Sequence, residues 1–527
     1  MAASMELWPS DRRRNNTLYC YGNDWNMLKI GLYSDKNASS NSGGKYKIKL
    51  PKSFTEPAIL EVTLPRAVEF LGASLSDMNH VSKEFETVDI TENNRQYRQI
   101  RIVLDNNRLN ERMKDAFYDI FVWYMPPEYL DDKVGWTFTY GGKQLASSSN
   151  RFRTAGVVRE GQKLPHRFVF YPYGPSSIVP NEDFDKVSDF YKRFGIHGIV
   201  LSWSFGLPQS EERLRKMLEA HHRQGIKNIA NMDTLCRKYG RGLDTAGSHN
   251  IKDDKGLVNA MDQACQGIES KEARREWKDA SRYFDMALYD WEPEGPQTWP
   301  GYDDSACIAA FSQAQGLNDP ISPELIKTKY RQAYARFRME QTVRPLYSLR
   351  KTINAGKPMP LIIEQGDGSA RNIDYAIYAR GFDILRPMIY KPSPLAYARD
   401  VLEMLDGTSI SGKKFMPDLT IGWPSGGSLR ESPEEFLLDT MISAAAGLGG
   451  IGHWPEMYRT DAALFGIHEG LARIALVEDF YFDGQPVDTV SVRGLSYREK
   501  TIDLGSRKLT FHAPDWRPVL LSFVHRL

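Results

Sequence analysis

An excess of charge of either sign is the first thing missing: 68 basic residues face 67 acidic ones, for a formal net charge of +1. Nucleic-acid coats and polybasic membrane binders need a surplus of Lys and Arg, so this balance argues against both. Cysteine is scarce. Cys20, Cys236, Cys265 and Cys307 stand far apart, with no C-x-x-C pair and no Cys/His metal spacing, so neither a disulfide framework nor a zinc site is indicated. No apolar run reaches the roughly 18 residues of a transmembrane candidate. Met1-Ala-Ala-Ser-Met5 lacks the basic and then apolar regions of a signal peptide. No G-x-G-x-x-G turn follows the first strand of the α/β region, and no G-x-x-x-x-G-K-[ST] loop occurs, which removes the usual nucleotide cradles.

What is present is a globular composition, 41% hydrophobic and 26% charged, in a chain of 527 residues that is too long for one ordinary domain. Aromatics are plentiful at 12%, with 11 Trp, 26 Tyr and 24 Phe, either for large β-rich cores or for stacking on sugar rings. Residues 1–155 read as an antiparallel β-sandwich, with short alternating segments at 45–50, 58–64, 98–104, 118–124 and 136–140. Over 156–484 apolar strands alternate with amphipathic helices, as in parallel βα units. Eight candidate strands (167–173, 198–205, 226–232, 283–292, 359–365, 384–390, 418–423 and 449–454) predict a (β/α)8 TIM barrel. Helices are expected between them at 210–224, 322–354, 394–405, 432–446 and 462–480. Residues 485–527 return to strand-like alternation at 489–493, 508–511 and 519–523, a short C-terminal β-rich segment.

The densest chemistry is Asp285-Met-Ala-Leu-Tyr-Asp290-Trp-Glu292-Pro-Glu294-Gly, on the fourth barrel strand. Side chains alternate along a strand, so Met286, Leu288, Asp290 and Glu292 share a face. If Met286 and Leu288 fill the barrel, Asp290 and Glu292 emerge at the rim where such barrels carry their active sites. Repulsion between close carboxylates raises one pKa, leaving a protonated acid beside an ionised partner. Glycosidic cleavage needs that pair: an acid to protonate the leaving oxygen and a carboxylate to stabilise charge at the sugar carbon.

The same segment resembles the D-x-x-D-x-D-x-E signature of the chitinase-like (family 18) glycoside hydrolases, through Asp285, Asp290 and Glu292. Met388-Ile-Tyr390 resembles that family's M-x-Y segment, and Gly449-Gly-Ile-Gly-His-Trp454 resembles its last barrel strand. The resemblance implies Glu292 as acid/base and Asp290 as the residue orienting a 2-acetamido group. It further implies Tyr390 against the reacting sugar and Trp454 beneath it. Leu288 stands in place of the second aspartate and Lys391 follows Tyr390 where the family often has Asp. The resemblance therefore points to the wider retaining-glycosidase type.

Other strand ends offer partners. Glu364, in Ile363-Glu364-Gln365, gives an amylase-like alternative with Asp290 as nucleophile and Glu364 as acid/base. Asp233 is expected to bind sugar hydroxyls or to cap the next helix. The seventh strand ends in Ile421-Gly-Trp423-Pro without a carboxylate, which argues against a strand-seven nucleophile. Tyr171, Trp203, Trp291, Trp423 and Trp454 are expected to line the cleft, where aromatic faces pack on sugar C–H. His221-His222 is expected on a helix surface. No metal or organic cofactor is implied. The expected partner is an oligo- or polysaccharide, with no nucleic acid and no membrane span, and a secreted or periplasmic setting. A barrel that binds carbohydrate without cleaving it is the rival of another class.

Overall fold

The computed structural model describes residues 2–8, 11, 15–34, 46–75, 82–113, 117–173, 183–201, 208–240, 256–291, 304–365, 375–391, 393–406, 408, 410–420, 432–454, 462–492, 497–503 and 508–514. Eleven strands form the N-terminal part. They are β1 (Ala2–Trp8), β2 (Thr17–Tyr21), β3 (Asn26–Ser34), β4 (Tyr46–Lys49), β5 (Ala58–Pro65), β6 (Glu69–Leu75), β7 (Glu86–Glu92), β8 (Arg95–Leu104), β9 (Phe117–Met125), β10 (Asp131–Tyr140) and β11 (Lys143–Gly156). They make a five-stranded sheet, β4-β1-β3-β9-β6, and a six-stranded sheet, β2-β11-β10-β5-β8-β7. All pairs are antiparallel except β2 with β11. Period-two patterning sets the faces: Ala58, Leu60, Val62 and Leu64 of β5 meet Leu28, Ile30 and Leu32 of β3 in one shared core. Two hairpins turn on residues with positive φ, Asn93 and Asn94 between β7 and β8, Gly141 and Gly142 between β10 and β11. Such turns match the twist of the strands they join.

Eight parallel strands follow: β12 (Val169–Pro172), β13 (Gly198–Leu201), β14 (Lys227–Asn231), β15 (Met286–Trp291), β16 (Leu361–Gln365), β17 (Ile384–Pro387), β18 (Asp418–Thr420) and β19 (Gly450–Trp454). Ladders run from β13 through β17, and from β18 through β19 to β12. Parallel bridges close both remaining seams, Tyr173 to Val200 between β12 and β13, and Leu385 to Phe415 with Met388 to Asp418 between β17 and β18. The ring is therefore complete, a (β/α)8 barrel argued from its own pairing.

Its helices depart from expectation in two places. The helix expected over 322–354 is divided into Pro323–Leu325, a π turn at Ile326–Tyr330, Arg331–Thr342 and Arg344–Ala355. Pro345, without an N–H to continue the ladder, sits in the first turn of the last piece. The helix expected over 462–480 breaks into Ala462–Ile474 and Glu478–Asp483. Two strands of the tail were anticipated within β20 (Gln485–Val492) and β22 (Lys508–Pro514), while β21 (Tyr497–Asp503) between them was not. The strand expected at 519–523 lies outside the described residues. No helix among the described residues is long and apolar enough to cross a membrane.

The N-terminal sheets rest on the barrel helices that follow β12 and β19. Tyr21 stacks edge-on against Phe194 at 4.9 Å, Arg193 pairs with Asp24 at 2.6 Å, and Phe465 lies against Gly156. His468, on helix Ala462–Ile474, packs its ring 5.7 Å from Phe194. His221, expected on a surface, is instead buried, its Nδ1–H donating to Asn228 Oδ1 at 2.8 Å. Its neighbour His222 is partly exposed and pairs with Asp285 at 2.8 Å.

Burial pulls the pKa of both His221 and His468 down to about 4, against opposing hydrogen bonds to Asn228 and the Phe194 backbone. Both are thus neutral when folded and charge readily when unfolded. Their stabilisation is complete above the unfolded value of about 6.5 and is lost as pH falls toward the folded one. Urea unfolding between pH 7 and pH 4 should show each costing on the order of 3 kcal/mol at the acid end. His468→Gln should flatten that slope; an unchanged slope would remove His468 as a source.

Candidate active site

One rule of alternation places most residues of the site. The barrel interior holds Val169 and Tyr171 of β12, Val200 of β13, Ile229 of β14, Met286 and Leu288 of β15, Ile362 of β16, Ile384 of β17, and Met416 just before β18. Two residues further along each chain the same face carries a polar group: Tyr173, Asn231, Asp290, Glu364, Arg386 and Asp418. An apolar layer therefore floors a polar one on the C-terminal side of the barrel, where the loops of such folds gather their chemistry.

Within that layer Asp290 pairs in register with Glu364, and Glu364 with Arg386. Arg386 is wholly buried, with Nε donating to Asp418 Oδ1 at 3.0 Å, Nη2 donating to the same oxygen, and Nη1 donating to the Tyr171 carbonyl at 3.0 Å. Its guanidinium lies 4.9 Å from the centre of the Tyr173 ring. Tyr390 Oη donates to Asp418 Oδ2 at 3.0 Å, and Tyr173 Oη donates to Glu364 Oε2. Glu364 Oε1 is 3.8 Å from Arg386 Nε, too far for a hydrogen bond. Gly452 is required here: a Cβ on it would fall 2.2 Å from Arg386 Nε and 2.5 Å from Asp418 Oδ1.

Asp233 is the first residue of the helix Asp233–Tyr239, whose N-cap position is held by Met232. Its carboxylate accepts from Asn231 Nδ2 at 3.3 Å and from the Asp290 backbone N–H at 3.4 Å, joining the ends of β14 and β15.

Arg386 is the only cation of this layer among the described residues, set among the carboxyls of Asp290, Glu364 and Asp418. Burial pushes the Glu364 pKa well above the carboxylate range; Arg386 opposes the rise, and Asp418 and Asp290 add to it. Burial likewise raises the Tyr173 and Tyr390 hydroxyls, with further contributions from the carboxyls of Glu364 and Asp418. For Arg386 burial works against the charge, but Asp418 and Glu364 outweigh it and the pKa rises. Burial among other carboxyl groups thus favours the protonated form of Glu364. Among the described residues no three His, Cys, Asp or Glu side chains are grouped to hold a metal ion.

Of the residues singled out in the sequence, the fold brings Asp233, Asp290, Glu364 and Tyr390 together. Tyr171 does not line a cleft: it is buried in the apolar layer beneath, its ring against Gly198, because its position along β12 falls one layer too low. Asp285 lies at the opposite end of β15 from Asp290, accepting from the Asn228 backbone N–H at 2.8 Å and pairing with His222. Glu292, Trp203 and Trp423 lie outside the described residues, as do the side chains of Trp291 and Trp454, which end β15 and β19. Lys391 is engaged with Asp400 at 2.9 Å.

Sequence reasoning missed Arg386 and Asp418. Strand seven was read as lacking a carboxylate at its end, yet Asp418 at its start reaches the acidic layer. Barrel strands are staggered, so the start of β18 lies level with Met388, beyond the end of β17. The signal was a lone arginine and a lone aspartate, each two residues after an interior apolar residue.

No family model matches the chain. No curated protein matches it either. Among solved structures it is similar to a family 39 glycoside hydrolase from the gut symbiont Bacteroides cellulosilyticus WH2, at 7% identity and TM-score 0.36 over 89% of this chain and 86% of that one. It is also similar to a GH36 α-galactosidase from Geobacillus stearothermophilus, at 8% and 0.38 over 93% and 71%, respectively. A class V chitinase from Pseudomonas fluorescens Pf-5 matches at 12% and 0.33, over 58% of this chain and all (100%) of that one. The barrel rests on its own strand pairing.

Gly452→Ala forces a methyl into the Arg386–Asp418 pair. Overpacking costs typically about 1–3 kcal/mol, and displacing a buried ion pair adds to that. Urea unfolding should therefore show a loss of at least about 2 kcal/mol; a loss below about 0.5 kcal/mol would mean that the pair is not close-packed on this glycine.

Proposed function

We propose that this protein is a glycoside hydrolase, cleaving an oligo- or polysaccharide by acid/base chemistry from the carboxyl groups of the Asp290-Trp-Glu292 segment, with net retention. The observation that carries the reading is the acidic layer, with Asp290 and Glu364 side by side on neighbouring strands above an apolar floor. Glu292 is the acid that protonates the leaving oxygen, and Asp290 the carboxylate that stabilises positive charge at the sugar carbon. Support comes from alternation: Met286, Leu288 and Asp290 share a parity that Glu292 continues in sequence.

A second reading has its own observation. Glu364 lies next to Asp290 in register and burial raises its pKa well above the carboxylate range, the direction that an acid/base partner of an Asp290 nucleophile needs. Its complete burial under Tyr173 and Arg386 favours support over direct contact with a sugar.

A panel of aryl-glycosides and glycans, with the first product's anomer read by NMR, gives the activity. Glu292→Gln and Asp290→Asn should each lower kcat by about 10²–10⁴-fold, the usual weight of a catalytic carboxyl, while sugar binding persists. A larger loss in Glu364→Gln than in Glu292→Gln would favour the second reading. Sugar binding without turnover in the unaltered protein would favour a carbohydrate-binding barrel.

A further inference from the structure

The buried set Glu364, Arg386 and Asp418 holds two carboxyl groups and one guanidinium, all with no exposed surface. If both acids ionised, the barrel would bury one uncompensated negative charge, an arrangement that a protein relieves by keeping a proton. The geometry says which acid keeps it. Asp418 is served by three donors: Arg386 Nε at 3.0 Å, Arg386 Nη2, and Tyr390 Oη at 3.0 Å. Glu364 is served by one, the Tyr173 hydroxyl, while Arg386 Nε stands 3.8 Å away. Hydrogen bonds to the ionised form are what favour ionisation, so the negative charge settles on Asp418.

We propose that Asp418 is a positioning residue: it claims the guanidinium of Arg386 and thereby leaves the buried proton of this set on Glu364. The groups facing Glu364 are consistent with this from every side. Asp290 of β15 adds repulsion, Arg386 of β17 is turned to Asp418, and Tyr173, just past β12, donates to it. Tyr390, beyond β17, bonds to Asp418, and Asp233 stands behind Asp290. The raised Glu364 pKa agrees with the same arrangement. Removing the charge of Asp418 frees Arg386 to pair with Glu364, which then loses its proton to water. The assignment concerns where a proton resides and holds whichever bond the site cleaves.

The test is infrared spectroscopy of the full chain at pH 7, reading the C=O stretch of a protonated carboxyl. Glu364→Gln, which mimics the protonated acid in shape, serves as the subtraction partner. The unaltered protein minus Glu364→Gln should show a band worth one carboxyl. The same subtraction made in an Asp418→Asn background should show none. No band in the first subtraction overturns the proposal, and so does a band that survives in the second. If Asp418→Asn fails to fold, the first subtraction still decides whether Glu364 holds the proton. Asp418→Glu, which keeps the charge, should then retain the band, and its loss would overturn the role given to Asp418.

Discussion

The contact between Arg386 and Asp418 is the one on which the mouth of the barrel depends. Burying an ion costs several kcal/mol even after relaxation, and this pair sits with no exposed surface at all. The cost is offset by three groups turned to it: the Tyr171 carbonyl, the Tyr390 hydroxyl and the face of the Tyr173 ring. Those partners come from β12 and the residue just after it, and from beyond the end of β17, while the pair itself joins β17 to β18. The pair thus bridges both sides of the short β18, which belongs to the ring through a three-residue ladder and single bridges. Gly452 of β19 completes the arrangement by having no side chain where the two charges meet.

The consequences run upward from that contact. With its cation engaged by Asp418, Glu364 keeps its proton, so Asp290 on the adjacent strand faces a neutral neighbour. Below, the apolar floor of Val200, Ile229, Met286, Leu288 and Ile362 keeps water from relieving the imbalance. Asp233 ties the ends of β14 and β15 together, so the acidic rim is held by both main-chain and side-chain bonds. The N-terminal sheets contribute by bracing the helices after β12 and β19, the seam that carries Tyr173 and Gly452.

Much of this was written in local patterns. The eight barrel strands followed from apolar runs between helical periods, and the parity of β15 followed from Met286, Leu288 and Asp290 standing at every second position. Features set by stagger were not readable. Asp418 opens its strand, and only the shear of the barrel raises it level with residues at the far end of its neighbour. Tyr171 and Tyr173 have the same residue type and the same parity, yet one layer of height makes the first a core ring and the second a partner of Glu364. His221 and His222 are adjacent and chemically identical, but the helix turns one inward to Asn228 and the other toward Asp285.

By itself the sequence determined the order of the eight barrel strands, the face on which Asp290 and Glu364 lie, and the concentration of acids at strands four and five. Alternation and amphipathic period are local properties, so neighbours in the chain are enough to state them. Only the tertiary structure decided which acid meets the arginine, which keeps a proton, and which aromatics are floor and which are rim. Those outcomes depend on closure and stagger of the ring, and on burial, where a difference of one donor or one layer determines the charge of a side chain.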